Sequence, residues 1–283
     1  MDVQSAADAV EDDFEHHSSG LLVPATRGPA DPQNAGPSPF IRIRPSIIVV
    51  AAWKGGVGKT TLAYELAFLF GGILVDLDWD RGGATVAWGY RPEQRSRVAL
   101  LDALESGRTP RPLIGHRKPD LIPSHPDFGP NQPTPEKMAD ALEQWCRELG
   151  RVLVVDTHPG GVPSTYGALA AGHAVVVPSV LATKELEALE GMLDEVPDYP
   201  LVIAPNMVPG SPPASELDRF EKAVRRVGAS VAPPISRYEW FKTRKTRLAL
   251  TSYDPEPKRI VPAAAEFRAL AQVVANKAVD RVG

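Results

Sequence analysis

A glycine-rich run in the first third of the chain has residues suited to holding the phosphates of a nucleotide. The run reads Lys54-Gly55-Gly56-Val57-Gly58-Lys59-Thr60-Thr61. Its glycines let successive backbone N–H groups turn toward a phosphate without a Cβ in the way. Lys59 would reach the β- and γ-phosphates, and the Thr60 hydroxyl would ligate Mg²⁺. The run therefore predicts a site for a nucleoside triphosphate with Mg²⁺, the alternative being a turn that only caps a helix.

Two residues at the start of this loop make it a deviant form of the phosphate-loop motif. The ordinary pattern has glycine five residues before Gly58, where this chain has Trp53, and Lys54 comes next. Since Lys59 already serves the phosphates, Lys54 is not needed by the nucleotide that its own loop binds. Lys54 is therefore either a solvated loop lysine or a residue with a further function.

Acidic residues follow two other apolar segments of the chain. Asp76 and Asp78 end the second predicted strand, and Asp156 follows four apolar residues at the end of the third. The carboxyl ends of parallel strands face the crevice where α/β sheets bind ligands. We expect Asp156 to hold Mg²⁺ directly or through water, Asp78 to orient the attacking water, and Asp76 to fix the magnesium shell or the loop. Each aspartate could instead be a turn or helix-capping residue.

Strands and helices that alternate along the chain would bring these residues together. Apolar runs rich in β-branched residues are typical of strands buried on both faces, and apolar residues at helical spacing indicate helices. The predicted strands are residues 47–52, 73–77, 151–155, 174–177 and 201–204, and the predicted helices are 60–70, 135–149, 184–196 and 262–279. This alternation predicts an α/β fold, a mostly parallel twisted sheet with helices on both faces. Residues 108–135, rich in proline, glycine and histidine, are expected to form an irregular connection.

The chain as a whole has the composition of a globular protein with an added tail. It has 283 residues, a formal net charge of −4 and one cysteine, Cys146, which alone cannot form a disulfide within the chain or ligate an iron–sulfur cluster. Residues 1–40 are acidic and then rich in proline, glycine and serine, so we expect a disordered tail before a folded domain at 41–283. The sequence has no run of eighteen apolar residues and no signal-peptide pattern. These features favour a cytoplasmic protein that does not span a membrane.

The motifs together resemble the ParA/MinD family of ATPases, and most closely its ParA-type partition members. The resemblance is carried by the loop, by Val75-Asp76-Leu77-Asp78 and by Asp156-Thr157-His158-Pro159-Gly160. It implies a P-loop NTPase fold over residues 41–283, with ATP and Mg²⁺ as cofactors and weak ATP hydrolysis. It also implies an ATP-sandwich homodimer in which Lys54 reaches across the interface to the partner's nucleotide.

The resemblance also implies partners. ParA-type proteins bind DNA nonspecifically when ATP-bound, a centromere-binding ParB-type protein stimulates their hydrolysis, and they act in the cytoplasm on the nucleoid. Asn206, which follows an apolar strand, is similar to the asparagine with which the family contacts adenine, although by itself it could be a turn residue.

Two segments depart from the family pattern. His158 stands where the family usually has the first of two prolines. Asp78 is followed by Trp79-Asp80-Arg81 where the family usually has Pro-Gln-Gly. The effect of these departures on turnover is open at this point.

Residues 236–247 form a candidate DNA-binding segment because they carry five basic side chains and one acidic. As a helix the segment would bring three of the cations toward one side, where Phe241 and Leu248 also fall. The aromatic residues could anchor the segment while the cations reach phosphates, or the cations could simply be solvated. The family resemblance favours DNA. The candidate DNA-binding residues are Arg237, Lys242, Arg244, Lys245 and Arg247.

Three other functions are compatible with parts of the sequence. A MinD-like membrane-positioning ATPase would need a C-terminal amphipathic helix with bulky apolar and basic residues, whereas residues 271–283 offer mainly alanine and valine. A nitrogenase-type reductase would bridge its dimer with an iron–sulfur cluster, and Cys146 lies in no motif suited to one. A regulatory binding module without hydrolysis is disfavoured by the intact loop and by Asp78 and Asp156.

Overall fold

Seven strands are described in the computed structural model, which covers residues 40–80, 83–91, 99–243 and 248–280, with the backbone alone at 242 and 243. The strands are β1 (Ile47–Val50), β2 (Ile73–Asp76), β3 (Asp120–Ile122), β4 (Leu153–Asp156), β5 (Ala174–Ser179), β6 (Leu201–Pro205) and β7 (Ser230–Val231). They form one sheet in the order β3-β2-β4-β1-β5-β6-β7, and every pair of neighbours is parallel. The predicted α/β fold with a parallel sheet is thereby confirmed.

Helices cover both faces of this sheet. Within the described residues they are α1 (Lys59–Leu69), α2 (Ala84–Trp88), α3 (Ala99–Ser106), α4 (Pro135–Leu149), α5 (Pro163–Ala171), α6 (Thr183–Glu195), α7 (Ala214–Val227) and α8 (Val261–Val279). Along β1, Ile47 and Val49 pack into the core shared with α3 to α7, and Ile48 and Val50 pack into the core shared with α1 and α8. This alternation follows from the period of two along a strand and explains why the strand sequences are apolar throughout.

The register of the central strands brings the predicted acidic residues to one edge of the sheet. Asp156 at the end of β4 pairs with Val50 of β1 on one side and with Asp76 of β2 on the other. The loop that leaves β1 and the segment that leaves β2 therefore start beside Asp156. The carboxyl edge of the sheet holds the candidate site, as the strand-end aspartates predicted.

The sequence-based prediction missed several elements. Residues 108–135, expected to be irregular, contain β3 and a 3₁₀ helix at Pro126–Phe128. Helices α2, α3, α5 and α7 and strand β7 were not predicted. The α-helix considered for residues 236–247 is wrong for its described part, which has a bridge between Val208 and Ser236 followed by a 3₁₀ helix at Glu239–Thr243.

Two further predictions concern parts of the chain that the structure describes incompletely. The predicted tail lies outside the described residues except for residue 40, and the boundary between a tail at 1–40 and a domain at 41–283 stays a prediction. Among the described helices, none is long and apolar enough to cross a membrane.

Candidate functional site

The glycine-rich loop joins the end of β1 to the first turn of α1, as its sequence predicted. Gly58 immediately precedes α1 with a φ of 96°, and Gly56 has a φ of 80°. The Asn206 side-chain amide donates a hydrogen bond of 2.8 Å to the Val57 carbonyl, and a Cβ on Gly58 would lie 2.3 Å from that amide nitrogen. Position 58 therefore requires glycine for its left-handed backbone and for the close approach of Asn206. Asn206 holds the loop in this structure, and its contact with adenine stays a prediction.

Lys59 is buried at the start of α1, where the positive end of the helix also favours an anion. Its side chain is 6% exposed. Burial lowers the pKa of Lys59, and the nearby carboxylates of Asp156 and Asp78 raise it again in part. A buried ammonium group between a helix N-terminus and carboxylates is suited to meet the charge of a triphosphate.

Asp156 is the aspartate whose side chain most needs a further ligand. It is fully buried, and among the described residues neither of its carboxylate oxygens accepts a well-formed hydrogen bond. Burial raises the pKa of Asp156 well above its ordinary value and the charge of Asp76 raises it further, while the nearby Thr60 hydroxyl and the Lys59 ammonium lower it. Because unpartnered buried oxygens are costly, this carboxylate fits a bound cation or its water ligands.

Asp76 organises the segment that follows β2. One of its carboxylate oxygens accepts the Asp78 backbone N–H at 3.0 Å, and the other accepts the Thr85 backbone N–H at 2.6 Å. Burial raises the pKa of Asp76 to about 7, although these hydrogen bonds lower it. Both oxygens thus shape the segment that follows β2, while the roles expected for Asp76 in the magnesium shell or at the glycine-rich loop stay predictions.

Asp78 lies at the mouth of the site. It is 8% exposed, and one of its oxygens accepts the Asp80 backbone N–H at 3.1 Å. Burial raises the pKa of Asp78, and the Asp80 N–H, His158 and Lys59 lower it. Together with Asp76 and Asp156 it gives the site three buried carboxylates beside the ammonium group of Lys59, a donor set that a divalent cation would balance.

Helix α6 binds both unusual residues of the loop, a feature that the sequence did not reveal. The Lys54 ammonium lies 3.2 Å from Glu185 in the first turn of α6. The Trp53 indole N–H donates a hydrogen bond of 2.6 Å to Glu195 at the other end of the helix, and the Tyr166 hydroxyl donates to the same carboxylate. In sequence these glutamates look like any solvated face of an amphipathic helix, so nothing there linked them to the loop.

The two segments that depart from the family pattern lie against each other. The Trp79 indole stacks on the His158 imidazole, with ring centroids 3.9 Å apart and planes 3° from parallel. His158 Nε2 lies 3.3 Å from a carboxylate oxygen of Asp80. The sequence identified both segments as unusual but gave no signal that they were in contact.

The candidate DNA-binding segment is described only in part. Arg237 is exposed, the side chain of Lys242 is not described, and Arg244, Lys245 and Arg247 lie outside the described residues. The Trp240 and Phe241 rings stack at 4.5 Å, and Phe241 packs edge-on against Phe267 of α8 at 6.3 Å. The expected aromatic anchoring is therefore present, while DNA binding by the five cations stays a prediction.

Comparison with known proteins gives one curated relative and many similar folds. No protein-family model matches the chain. The chromosome-partitioning ATPase Soj of Thermus thermophilus is 35% identical over 160 residues, which are 54% of this chain and 62% of Soj. The chain therefore matches less than two thirds of the length of this relative.

The similar solved structures confirm the fold at low sequence identity. An ATP complex of Cyanothece McdA has a TM-score of 0.62 at 18% identity, covering 80% of this chain and 96% of that one. Aquifex aeolicus MinD in complex with MinC has a TM-score of 0.60 at 19% identity, covering 82% and 96%. A putative plasmid partition protein of Borrelia burgdorferi bound to AMPPNP has a TM-score of 0.61 at 20% identity, covering 81% and 100%.

Proposed function

We propose that this chain is an ATP-dependent, dimerising partition ATPase. A partition relative and the fold confirm its resemblance to the ParA/MinD ATPases. The observation that carries the proposal is the unpartnered carboxylate of Asp156 next to the buried Lys59 and the glycine-rich loop. ATP is the substrate and Mg²⁺ the cofactor. The cargo would be plasmid or chromosomal DNA, since Soj is a chromosome-partitioning ATPase.

Each residue of the site has a role in this proposal. The loop N–H groups and Lys59 bind the phosphates, Thr60 and Asp156 hold the metal directly or through water, and Asp76 supports that shell through the loop. Bound Mg²⁺ would neutralise the charge that develops on the transferred phosphoryl group. Asp78 orients the attacking water from the mouth of the site, where the Asp80 N–H holds its carboxylate.

Lys54 would act in the dimer. Its contact with Glu185 leaves both side chains partly exposed, at 34% and 26%, and such an ion pair contributes little to stability. Lys54 can therefore exchange Glu185 for the more highly charged phosphates of a nucleotide in the partner subunit. Glu185 would then be the residue that holds Lys54 when no partner is present.

DNA would bind the segment of residues 236–247 in the ATP-bound dimer. A ParB-type protein bound at a centromere site would stimulate ATP hydrolysis and thereby the release of the DNA. This binding would place the protein on the nucleoid in the cytoplasm. Phe241 packs against Phe267 of α8 and so fixes the segment to that helix, and the cations would contact phosphates without reading sequence. A net charge of −4 makes such a local patch necessary, because the chain as a whole does not attract DNA.

A MinD-like membrane function is the alternative that the test must distinguish from the partition function. The apolar residues of α8, among them Phe267, Leu270 and Val274, are buried in the core that also contains α1. This helix uses its apolar face within the fold, so the described structure gives lipid binding no specific support. The solved MinD structure shares the fold at 19% identity, which does not distinguish the two functions.

The decisive experiment measures DNA binding with ATP, with ADP and without nucleotide across a salt series. We expect the protein to bind DNA with ATP but not with ADP or without nucleotide. The affinity for DNA should fall steeply as the salt concentration rises. Lys59→Ala is the control, since it should abolish ATP binding and with it the ATP-dependent binding to DNA. Sedimentation with anionic vesicles runs in parallel, and ATP-dependent binding to vesicles but not to DNA would replace the partition function by the membrane function.

A further inference from the structure

The stack of Trp79 on His158 joins the two segments that leave neighbouring strands at the site. Trp79 belongs to the segment after β2, and His158 belongs to the segment after β4. The planes of the two rings are nearly parallel and the ring centroids lie 3.9 Å apart, which is a stacked contact between an indole and an imidazole. The contact therefore spans the gap between the strand that ends in Asp76 and the strand that ends in Asp156.

Both rings are held from the outside as well. Trp79 also packs edge-on against Phe128 at 6.0 Å, and a Cβ on Gly129 would lie 2.8 Å from the indole nitrogen. His158 Nδ1 lies 2.8 Å from the Pro159 carbonyl oxygen, which fixes the plane of the imidazole. Each half-buried ring of the stack thus has a second contact that fixes its orientation.

The stack acts on Asp78 through the backbone. Asp78 precedes Trp79, and one Asp78 carboxylate oxygen accepts a hydrogen bond from the N–H of Asp80 at 3.1 Å. The orientation of the Asp78 carboxylate therefore depends on the conformation of the residue between them, which is Trp79. The Asp80 side chain also meets His158 Nε2 at 3.3 Å, but that carboxylate is 67% exposed and contributes little.

The family resemblance explains why the segments after β2 and β4 need a contact that fixes their backbone. At positions 79 and 158 the family pattern has prolines, which fix the backbone locally by locking φ. This chain lacks both prolines, and the two residues that replace them are the two that stack. We propose that Trp79 and His158 are positioning residues, whose stack replaces the two prolines and holds Asp78 in the orientation that hydrolysis requires. The inference rests on the proposed ATPase function and concerns how this particular chain achieves it.

The test separates positioning from binding by measuring kcat and KM for ATP hydrolysis in the full chain. His158→Ala should lower kcat about tenfold and leave KM within about twofold, because the phosphate loop is untouched. His158→Phe keeps the stack without the imidazole nitrogens, and it should retain kcat within about threefold. His116→Ala is the matched control, since His116 is an exposed histidine outside the site.

A double-mutant cycle with Trp79→Ala makes the test specific for the contact. If the stack is the shared cause, Trp79→Ala combined with His158→Ala should lower kcat no further than either change alone. Additive losses, or a kcat of His158→Ala equal to that of the wild type, would overturn the inference and leave the ATPase function in place. Wild-type protein that binds ATP but never hydrolyses it, with DNA or without, would overturn the proposed function itself. Thermal unfolding of each variant with ATP shows whether a loss of kcat comes from a loss of fold. If His158→Ala does not fold, the kcat of His158→Phe decides the question, because a kcat more than about threefold below the wild type in that folded variant would overturn the inference.

Discussion

Asp78 is the residue whose change should separate ATP binding from ATP turnover. Its carboxylate lies at the mouth of the site and belongs to the segment after β2, whereas the glycine-rich loop and Lys59 would bind the phosphates. We expect Asp78→Ala to lower kcat about a hundredfold while ATP affinity changes little, so that an ATP-bound dimer accumulates. Single-turnover hydrolysis and size-exclusion chromatography with ATP would measure both effects. Asp127→Ala removes an exposed carboxylate elsewhere and serves as the control; wild-type hydrolysis in Asp78→Ala would exclude Asp78 from its role.

The burial of Asp76 should make the stability of the fold decrease as the pH rises. Burial raises its pKa from 3.8 to about 7 in the folded state. Between these values the folded protein keeps a proton that the unfolded chain releases, so the contribution of Asp76 to the free energy of unfolding falls as the pH rises from about 4 to about 7.

The matching variant is Asp76→Asn, whose side chain is neutral at every pH and therefore adds no pH dependence of its own. In the absence of nucleotide and metal, the Tm of the wild type minus that of Asp76→Asn should decrease between pH 4.5 and pH 7.5. Differential scanning calorimetry at several pH values measures this difference in Tm. A difference that stays constant would show that Asp76 does not titrate in this range.

At the scale of elements, helix α1 connects the loop to the C-terminal part of the chain through one buried carboxylate. Glu65 is 1% exposed and accepts the Leu250 N–H at 2.7 Å, the Thr251 N–H at 3.2 Å and the Thr251 hydroxyl at 3.0 Å. In sequence, Leu250 and Thr251 come shortly after the basic segment of residues 236–247. The helix that starts at the phosphate loop is therefore bonded to the backbone of residues 250 and 251.

Replacing this carboxylate should destabilise the fold more than an ordinary surface change. Glu65→Gln gives up one anionic oxygen and places an N–H donor against backbone donors, which costs about 1–3 kcal/mol. Urea unfolding measures the loss. Glu221→Gln, on the exposed side of α7 and 3.9 Å from Arg225, should stay within about 0.5 kcal/mol of the wild type. Equal effects of the two changes would mean that the Glu65 hydrogen bonds contribute no more than a surface ion pair.

The elements differ in how far the sequence determines them. Strands β1, β2 and β4 were predictable because they are short apolar runs rich in β-branched residues, and β2 and β4 also end in aspartates. Strand β3 has three residues in a proline-rich stretch, and it is a strand because it pairs with β2. Helix α5 was hidden by its small residues, which are needed because a Cβ on Gly167 would lie 2.4 Å from the Pro135 carbonyl oxygen.

The site divides in the same way between local and distant determinants. The loop could be predicted because its glycines, lysine and threonine are consecutive in sequence. The contacts of Trp53 with Glu195 and of Trp79 with His158 join residues far apart in the chain. No periodic pattern encodes such contacts, so the sequence marked Trp53, Trp79 and His158 only as departures and did not mark Glu195 at all.

At the scale of the whole molecule, the proposed function needs a basic surface on a chain with a net charge of −4. The basic segment is anchored to α8 by Phe241, and the residues that follow it are bonded to α1 by Glu65. Helices α1 and α8 share one core on one face of the sheet. Helix α1, which follows the phosphate loop, and Phe241 of the basic segment therefore pack into the same core.

The salt dependence of DNA binding would show whether the cations of this segment contact phosphates. Each phosphate contact adds about 0.9 to the slope of log affinity against log salt, so Arg244→Ala with Lys245→Ala should lower that slope by up to about 2. Lys222→Ala with Arg225→Ala on α7 makes the same change of net charge on a surface where both cations already pair with acidic residues. A general electrostatic effect would weaken DNA binding equally in the two double variants. A phosphate-binding segment would instead lose slope only in the first, and an unchanged slope there would mean that DNA binds another surface.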